Sequence, residues 1–189
     1  MSEAPYQTYL DLIFMRKKSF NFKSKIRDVA DWPKKGVIFK DITPLLQEPV
    51  YFKRAIDGLV NFFQNKKIQK VVGIDARGFL LASAVAYQLG AGVAIVRKKG
   101  KLPYQAIMQE YDLEYGKNII EMHQDAILPG ERVAIIDDVL ATGGTAQATA
   151  KLVESLKGKI VGIGFLINLT FLNGAKKLKK YKIYSLVKY

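Results

Sequence analysis

The chain is predicted to be α/β: a parallel twisted sheet flanked by helices, with a small N-terminal cap. Three observations predict this. From about Lys70 onward, apolar runs of strand length alternate with runs of helical periodicity, the pattern of strands joined by right-handed crossover helices. Runs such as "RVAIIDD" are continuously apolar rather than alternating, as in strands buried on both faces. Two of these runs end in aspartates, Asp75 and the pair Asp137 and Asp138, at the carboxyl ends where ligands sit in such sheets.

Each element has its own signal. Tyr6, Tyr9, Leu10, Ile13 and Phe14 recur at helical spacing, so Tyr6 to Phe20 reads as an amphipathic helix. "DWPKKGVIFKDITPLL" is punctuated by two prolines and a glycine and reads as an irregular, partly buried cap. "VYFKRAIDGLVNFFQNK" sets Phe52, Ile56, Leu59, Val60 and Phe63 on one helical face. "KVVGID" is a strand, "ARG" its turn, and "FLLASAVAYQLG" a helix stopped by Gly90. "GVAIVRK" is the next strand. Tyr104 to Ala126 reads as a two-stranded excursion or a mobile loop around "YGK". "RVAIIDD", the helix "TAQATAKLVESLKG" and the strand "IVGIGFLINL" complete the alternation.

Composition narrows the function classes. A chain of 189 residues can bury a proper core, since one of roughly 150 residues already hides about two-thirds of its unfolded surface. No stretch supplies the ~18 consecutive apolar residues of a membrane span. The basic cluster Arg16, Lys17 and Lys18 follows the first apolar patch instead of preceding it, the reverse of a secretory leader. With no cysteine and the single histidine His123, disulfides, thiolate metal sites and His-rich metal clusters are excluded. The expectation is a cytoplasmic protein. A net charge of +13, with nine lysines and a lone glutamate between Lys151 and Tyr189, suits an anionic small molecule or nucleic acid. "KKLKKYK" reads best as a solvated basic surface, because no nucleic-acid module or stacking platform accompanies it. His123 reads as a packed or surface strand residue.

The chemistry concentrates in "VAIIDDVLATGGTAQA", Val133 to Ala148. Ala141 to Thr145 joins a strand to a helix N-terminus. Gly143 and Gly144 let backbone N–H groups converge, Thr142 and Thr145 add hydroxyls, and the helix dipole adds partial positive charge. Neither G-x-x-x-x-G-K-[ST] nor G-x-G-x-x-G is present, so the cup suits a phosphate monoester. Asp137 and Asp138, just before it, are acceptors for vicinal sugar hydroxyls. Together these match a ribose 5-phosphate.

This stretch resembles the phosphoribosyl pyrophosphate motif of type I phosphoribosyltransferases. "DWPKKGVIFKDITPLL", "GIDARGFLLASAVAYQLG", "RKKGKLPYQ" and "LEYGKNIIEMHQDAILPGERV" resemble successive segments of the adenine phosphoribosyltransferase family. The similarity runs from about Ile26 to the C-terminus. It implies transfer of phosphoribose from phosphoribosyl pyrophosphate to adenine, giving AMP and pyrophosphate with Mg²⁺ assisting. The ion is expected to be held mainly by substrate and water, with no ligand directly from the protein. The implied fold adds a hood: residues 1–24 an extension, 25–50 the hood with the base pocket, 51–189 the core, with a mobile loop near 103–118.

The resemblance also distributes roles. Ala141, Thr142, Gly143, Gly144 and Thr145 would hold the 5-phosphate, and Asp137 and Asp138 the ribose hydroxyls. Asp75, Ala76 and Arg77 of "DARG" would form the pyrophosphate loop, with a cis peptide expected at Asp75–Ala76. Guanidinium geometry matches phosphate, so Arg77 is the expected ligand. Arg97, Lys98 and Lys101 of "RKKGK" would face the same pyrophosphate. Glu114 and Tyr115 of "YDLEYGK" would belong to a catalytic lid that keeps water from a cationic anomeric centre. Ile38, Phe39 and Lys40 of "GVIFKD" would bind adenine, Phe39 by stacking and the other two through backbone groups. A homodimer is implied. A transferase for another purine, and a phosphoribosyl pyrophosphate-sensing regulator that binds nucleic acid, stay open as alternatives. The adenine-type hood argues against the first, and intact "DARG" and Glu114–Tyr115 against the second.

Overall fold

Hydrogen-bond pairing in the chain follows the apolar runs. The computed structural model describes residues 20–112 and 117–189, so the helix expected from Tyr6 lies outside the described residues. The rest falls into two units, divided between Tyr51 and Phe52.

In the first unit, β1 (Arg27–Ala30) pairs antiparallel with β2 (Ile38–Asp41), setting Val29 opposite Phe39. The segment expected to be irregular is therefore a short two-stranded ribbon, with a cis Trp32–Pro33 bond in its connection. The Trp32 ring meets Phe39 edge-on at 4.3 Å. Asp41 receives the Thr43 N–H at 2.9 Å and the Arg27 guanidinium at 2.7 Å, which joins the ribbon to α1 (Thr43–Gln47). The helix α2 (Pro49–Phe63) follows.

In the second unit the strands are β3 (Lys70–Ile74), β4 (Gly92–Lys98), β5 (Ala106–Asp112), β6 (Lys117–His123), β7 (Arg132–Leu140), β8 (Lys159–Asn168) and β9 (Ile183–Lys188). They form one sheet in the order β5-β6-β4-β3-β7-β8-β9. The β4-β3-β7-β8-β9 run is parallel, as expected. β5 and β6 are antiparallel, to each other and to β4, so the sheet is mixed. An antiparallel edge strand needs only a tight turn, whereas a parallel one needs a crossover. The 104–126 stretch is thus a two-stranded excursion, and β9, unannounced by its lysine-flanked sequence, closes the other edge.

Val71 and Val72 on β3, and Val133 to Ile136 on β7, are wholly buried, since helices cover both faces. α3 (Arg77–Leu89) buries Leu81, Ala82 and Val85 and ends on a left-handed Gly90. α4 (Gly144–Ser155) buries Ala146, Ala150, Leu152 and Val153. Burying a Val, Leu or Ile side chain stabilises by about 1.5–3 kcal/mol. Strand direction then delivers the ends of β3, β4 and β7 to one rim of the sheet.

Candidate active site

β7 is paired on both sides only part of the way. Its partnership with β3 ends at Ile136, opposite Gly73, while that with β8 continues to Leu140. The expectation that Asp137 and Asp138 end the strand is therefore corrected: β7 runs on to Leu140, and the pair lies where one neighbour has left it. The Asp138 N–H donates to Asp137 Oδ1 at 2.9 Å. Asp138 is buried, and its Oδ2 lies 2.5 Å from Arg77 Nε. Burial, and next the Asp138 charge, push the Asp137 carboxyl well above the ordinary carboxylate range; the Arg77 charge pulls the other way.

The "DARG" turn comes within contact of this pair because Gly78 lacks a side chain. A Cβ there would sit 2.8 Å from Asp137 Oδ1 and 3.2 Å from the Ile136 carbonyl. The Asp75–Ala76 peptide is cis, as expected. The Asp75 N–H donates to the Val96 carbonyl at 2.9 Å, and its carboxylate takes Arg97 Nε at 3.0 Å. Three strand ends thus carry two linked groups, the ion pair of Asp75 with Arg97 and the chain of contacts from Arg77 through Asp138 to Asp137. Lys98 ends β4 opposite Ile120.

Lys101 depends on a residue that sequence reasoning missed. Glu121, buried on β6, accepts the N–H groups of Lys101 and Leu102, each at 2.9 Å. Burial alone would raise its pKa. The donors of Leu102, Gly100 and Lys101 outweigh that and hold the carboxyl below its usual value. The available signal was one acid inside the apolar run "NIIEMH".

Ala141 to Thr145 leads from β7 into α4, with Gly143 left-handed at φ 78° before the helix. A second missed residue lies against this loop. A Cβ on Gly174 would stand 2.1 Å from the Ala141 carbonyl, and one on Gly143 would stand 2.5 Å from the Gly174 carbonyl. The loop's close approach requires both glycines. Thr145 Oγ1 also lies 3.2 Å from the Tyr111 hydroxyl, linking β5 to the cup. Nothing in the sequence spacing indicated Tyr111 or Gly174.

The remaining expected residues belong to other parts of the chain. Ile38 is exposed, Phe39 half-buried, and Lys40 pairs with Asp28 at 2.7 Å, all in the first unit. Glu114 and Tyr115 lie outside the described residues. His123 packs edge-on against Tyr104 at 6.0 Å, as a strand residue. Among the described residues, no three His, Asp or Glu side chains group as metal ligands, and no helix is long and apolar enough to cross a membrane.

Comparison with known proteins agrees with this geometry. Residues 45–188 match the phosphoribosyl transferase domain family. The chain is 53% identical to an adenine phosphoribosyltransferase of Trichlorobacter lovleyi over 89% of its length and 99% of the relative's. The crystal structure of adenine phosphoribosyltransferase from Thermoanaerobacter pseudethanolicus superposes with a TM-score of 0.87 at 50% identity, covering 89% of this chain and 98% of that one. That of Saccharomyces cerevisiae, complexed with an imino-altritol bisphosphate and adenine, gives 0.82 at 36% identity, covering 87% and 96%. A mixed sheet whose strand ends gather three aspartates, two arginines and a glycine-lined helix N-terminus fits that kinship, and the chain belongs to the adenine phosphoribosyltransferase family.

Proposed function

We infer that the chain is a purine-salvage enzyme that transfers phosphoribose from phosphoribosyl pyrophosphate to adenine, giving AMP and pyrophosphate. One observation supports it above the others: the opened segment of β7 carries Asp137 and Asp138 directly into the glycine-lined loop before α4. A sugar over the acids and a monoester in the loop would be held a few residues apart.

In this reading the backbone of Ala141 to Thr145 holds the 5-phosphate, with the dipole of α4 behind it. Asp137 and Asp138 accept hydrogen bonds from the ribose hydroxyls and fix the anomeric carbon. That carbon loses pyrophosphate in a dissociative displacement, as cationic charge builds on the ring. Arg77, Arg97, Lys98 and Lys101 stabilise the departing pyrophosphate, with Asp75 orienting Arg97. Adenine is the attacking base, stacked on Phe39 and read by the backbone of Ile38 and Lys40. Glu114 and Tyr115 exclude water from the cation.

Mg²⁺ fits this donor set as part of the substrate. The site's carboxylates are hard oxygen donors, yet those of Asp75 and Asp138 are already engaged by arginines. The ion's ligands would come mainly from pyrophosphate oxygens and water, and its chemistry there is neutralisation of leaving-group charge. A homodimer in the cytoplasm completes the proposal.

The test is turnover of radiolabelled adenine with phosphoribosyl pyrophosphate and Mg²⁺. Wild type should make AMP. The Asp137→Asn/Asp138→Asn variant should stay folded by circular dichroism and lose about a hundredfold or more in kcat/KM. Turnover of hypoxanthine or guanine with none of adenine would overturn the base assignment.

A further inference from the structure

Lys66, Arg132, Lys159, Lys180 and Lys182 line one cavity of about 410 Å³, with Tyr181 on its wall. We propose that this cavity is a second anion site, which binds a small molecule carrying two or more phosphate groups. It lies away from the catalytic rim. Arg132 opens β7 and Asp137 lies five residues on, so the two are about 17 Å apart along the strand.

The cavity is assembled by the fold. Lys66 follows α2. Arg132 and Lys159 open neighbouring strands and stand directly opposite one another in register. Lys180 and Lys182 precede β9, where the Lys182 carbonyl accepts the Ile163 N–H at 2.9 Å. Arg132 Nε donates to the Lys66 carbonyl at 2.7 Å, which fixes its guanidinium at the rim. Four separate segments of chain thus bring like charges to one concave place.

Those charges are poorly answered. Glu154 pairs with Lys180 at 2.8 Å. Among the described residues, no carboxylate lies within ion-pair distance of Lys66, Arg132, Lys159 or Lys182. The Lys66 ammonium instead donates to the Phe62 carbonyl and sits 3.6 Å from the centroid of the Phe62 ring. Burial, and then the charge of Lys182, hold its pKa below that of an ordinary lysine. Like charges directly opposite on paired strands oppose folding. These side chains are largely exposed, yet they line one cavity, and a bound polyanion would offset the repulsion among them.

Shape selects the kind of anion. A volume of this size suits a compact ligand. Single-stranded nucleic acid is held by rings free to stack on its bases. Here Tyr181 is held by Glu154 at 2.8 Å and lies under the Lys180 ammonium at 5.1 Å.

The probe is inorganic tripolyphosphate, titrated calorimetrically into the full chain without divalent metal. Wild type and Arg77→Ala, which alters only the catalytic rim, should share a site that Lys159→Glu/Lys182→Glu binds about tenfold or more weakly. Adenine turnover without tripolyphosphate should be unchanged in that double variant, so failure of this proposal leaves the catalytic reading standing. If the double reversal does not fold, Lys159→Gln and Lys182→Gln singly should each weaken binding about threefold. Equal affinity in wild type and lysine variants overturns the proposal. So does a short single-stranded RNA that outbinds tripolyphosphate at physiological salt through the same lysines.

Discussion

Asp137 and Glu121 are acids of opposite temperament. Between the ordinary carboxylate pKa of an unfolded chain and the raised value of Asp137, the folded state keeps a proton that the unfolded state has released. Stability therefore falls as pH rises through that window. Asp137→Asn removes the titration and retains an oxygen to accept the Asp138 N–H. By calorimetry it should melt above wild type at pH 8, with the gap closing toward pH 4; identical melting at pH 8 would count against a desolvated acid. Glu121 carries the reverse sign. Its depressed pKa contributes stability above the usual glutamate value, lost as pH falls through its folded value. Glu121→Gln should lower unfolding free energy by about 1–2 kcal/mol at neutral pH, read by urea titration. Both aspartates of β7 were legible because they interrupt an apolar run next to a glycine turn. Glu121 also interrupts such a run, but its role depends on amides twenty residues upstream, which periodicity cannot report.

Elements place what residues alone cannot. The loop before α4 is shaped from beneath by Gly174, thirty-one residues beyond Gly143. Gly174→Ala must push the Ala141 carbonyl aside and is expected to raise KM for phosphoribosyl pyrophosphate by about tenfold to a hundredfold, with KM for adenine little changed. A steady-state comparison of the two substrates separates this from general loss of fold. β5 reaches the same loop through Tyr111. Tyr111→Phe keeps the ring and removes the contact to Thr145, so a rise of about threefold in the same KM is expected; no change would mean the hydroxyl is idle. Strands β3, β4, β7 and β8 were readable from sequence, because burial on both faces writes a continuous apolar run. The direction of β5 and β6, and the existence of β9, were not. Antiparallel and edge strands tolerate polar residues, and their partners are chosen by geometry rather than by composition.

At the scale of the molecule, the kinship with adenine phosphoribosyltransferases, the mixed sheet and its rim of opposed charges make one prediction about the native state as a whole. Phosphoribosyl pyrophosphate at a hundred times its Kd should stabilise the chain by about 2.7 kcal/mol, a rise in Tm of about 5–10 °C for a protein of this size. Scanning calorimetry with and without ligand measures it, and adenine alone should move Tm less. The parting of β3 from β7 after Ile136 has a consequence for how such a ligand is felt. Main-chain groups of residues 137–140 on that side have no neighbouring strand, and in the proposed reading substrate would stand in for the absent ladder. Deuterium uptake by those amides should slow sharply on ligation, while the β8 side, zipped as far as Leu140, exchanges at the same pace with or without it.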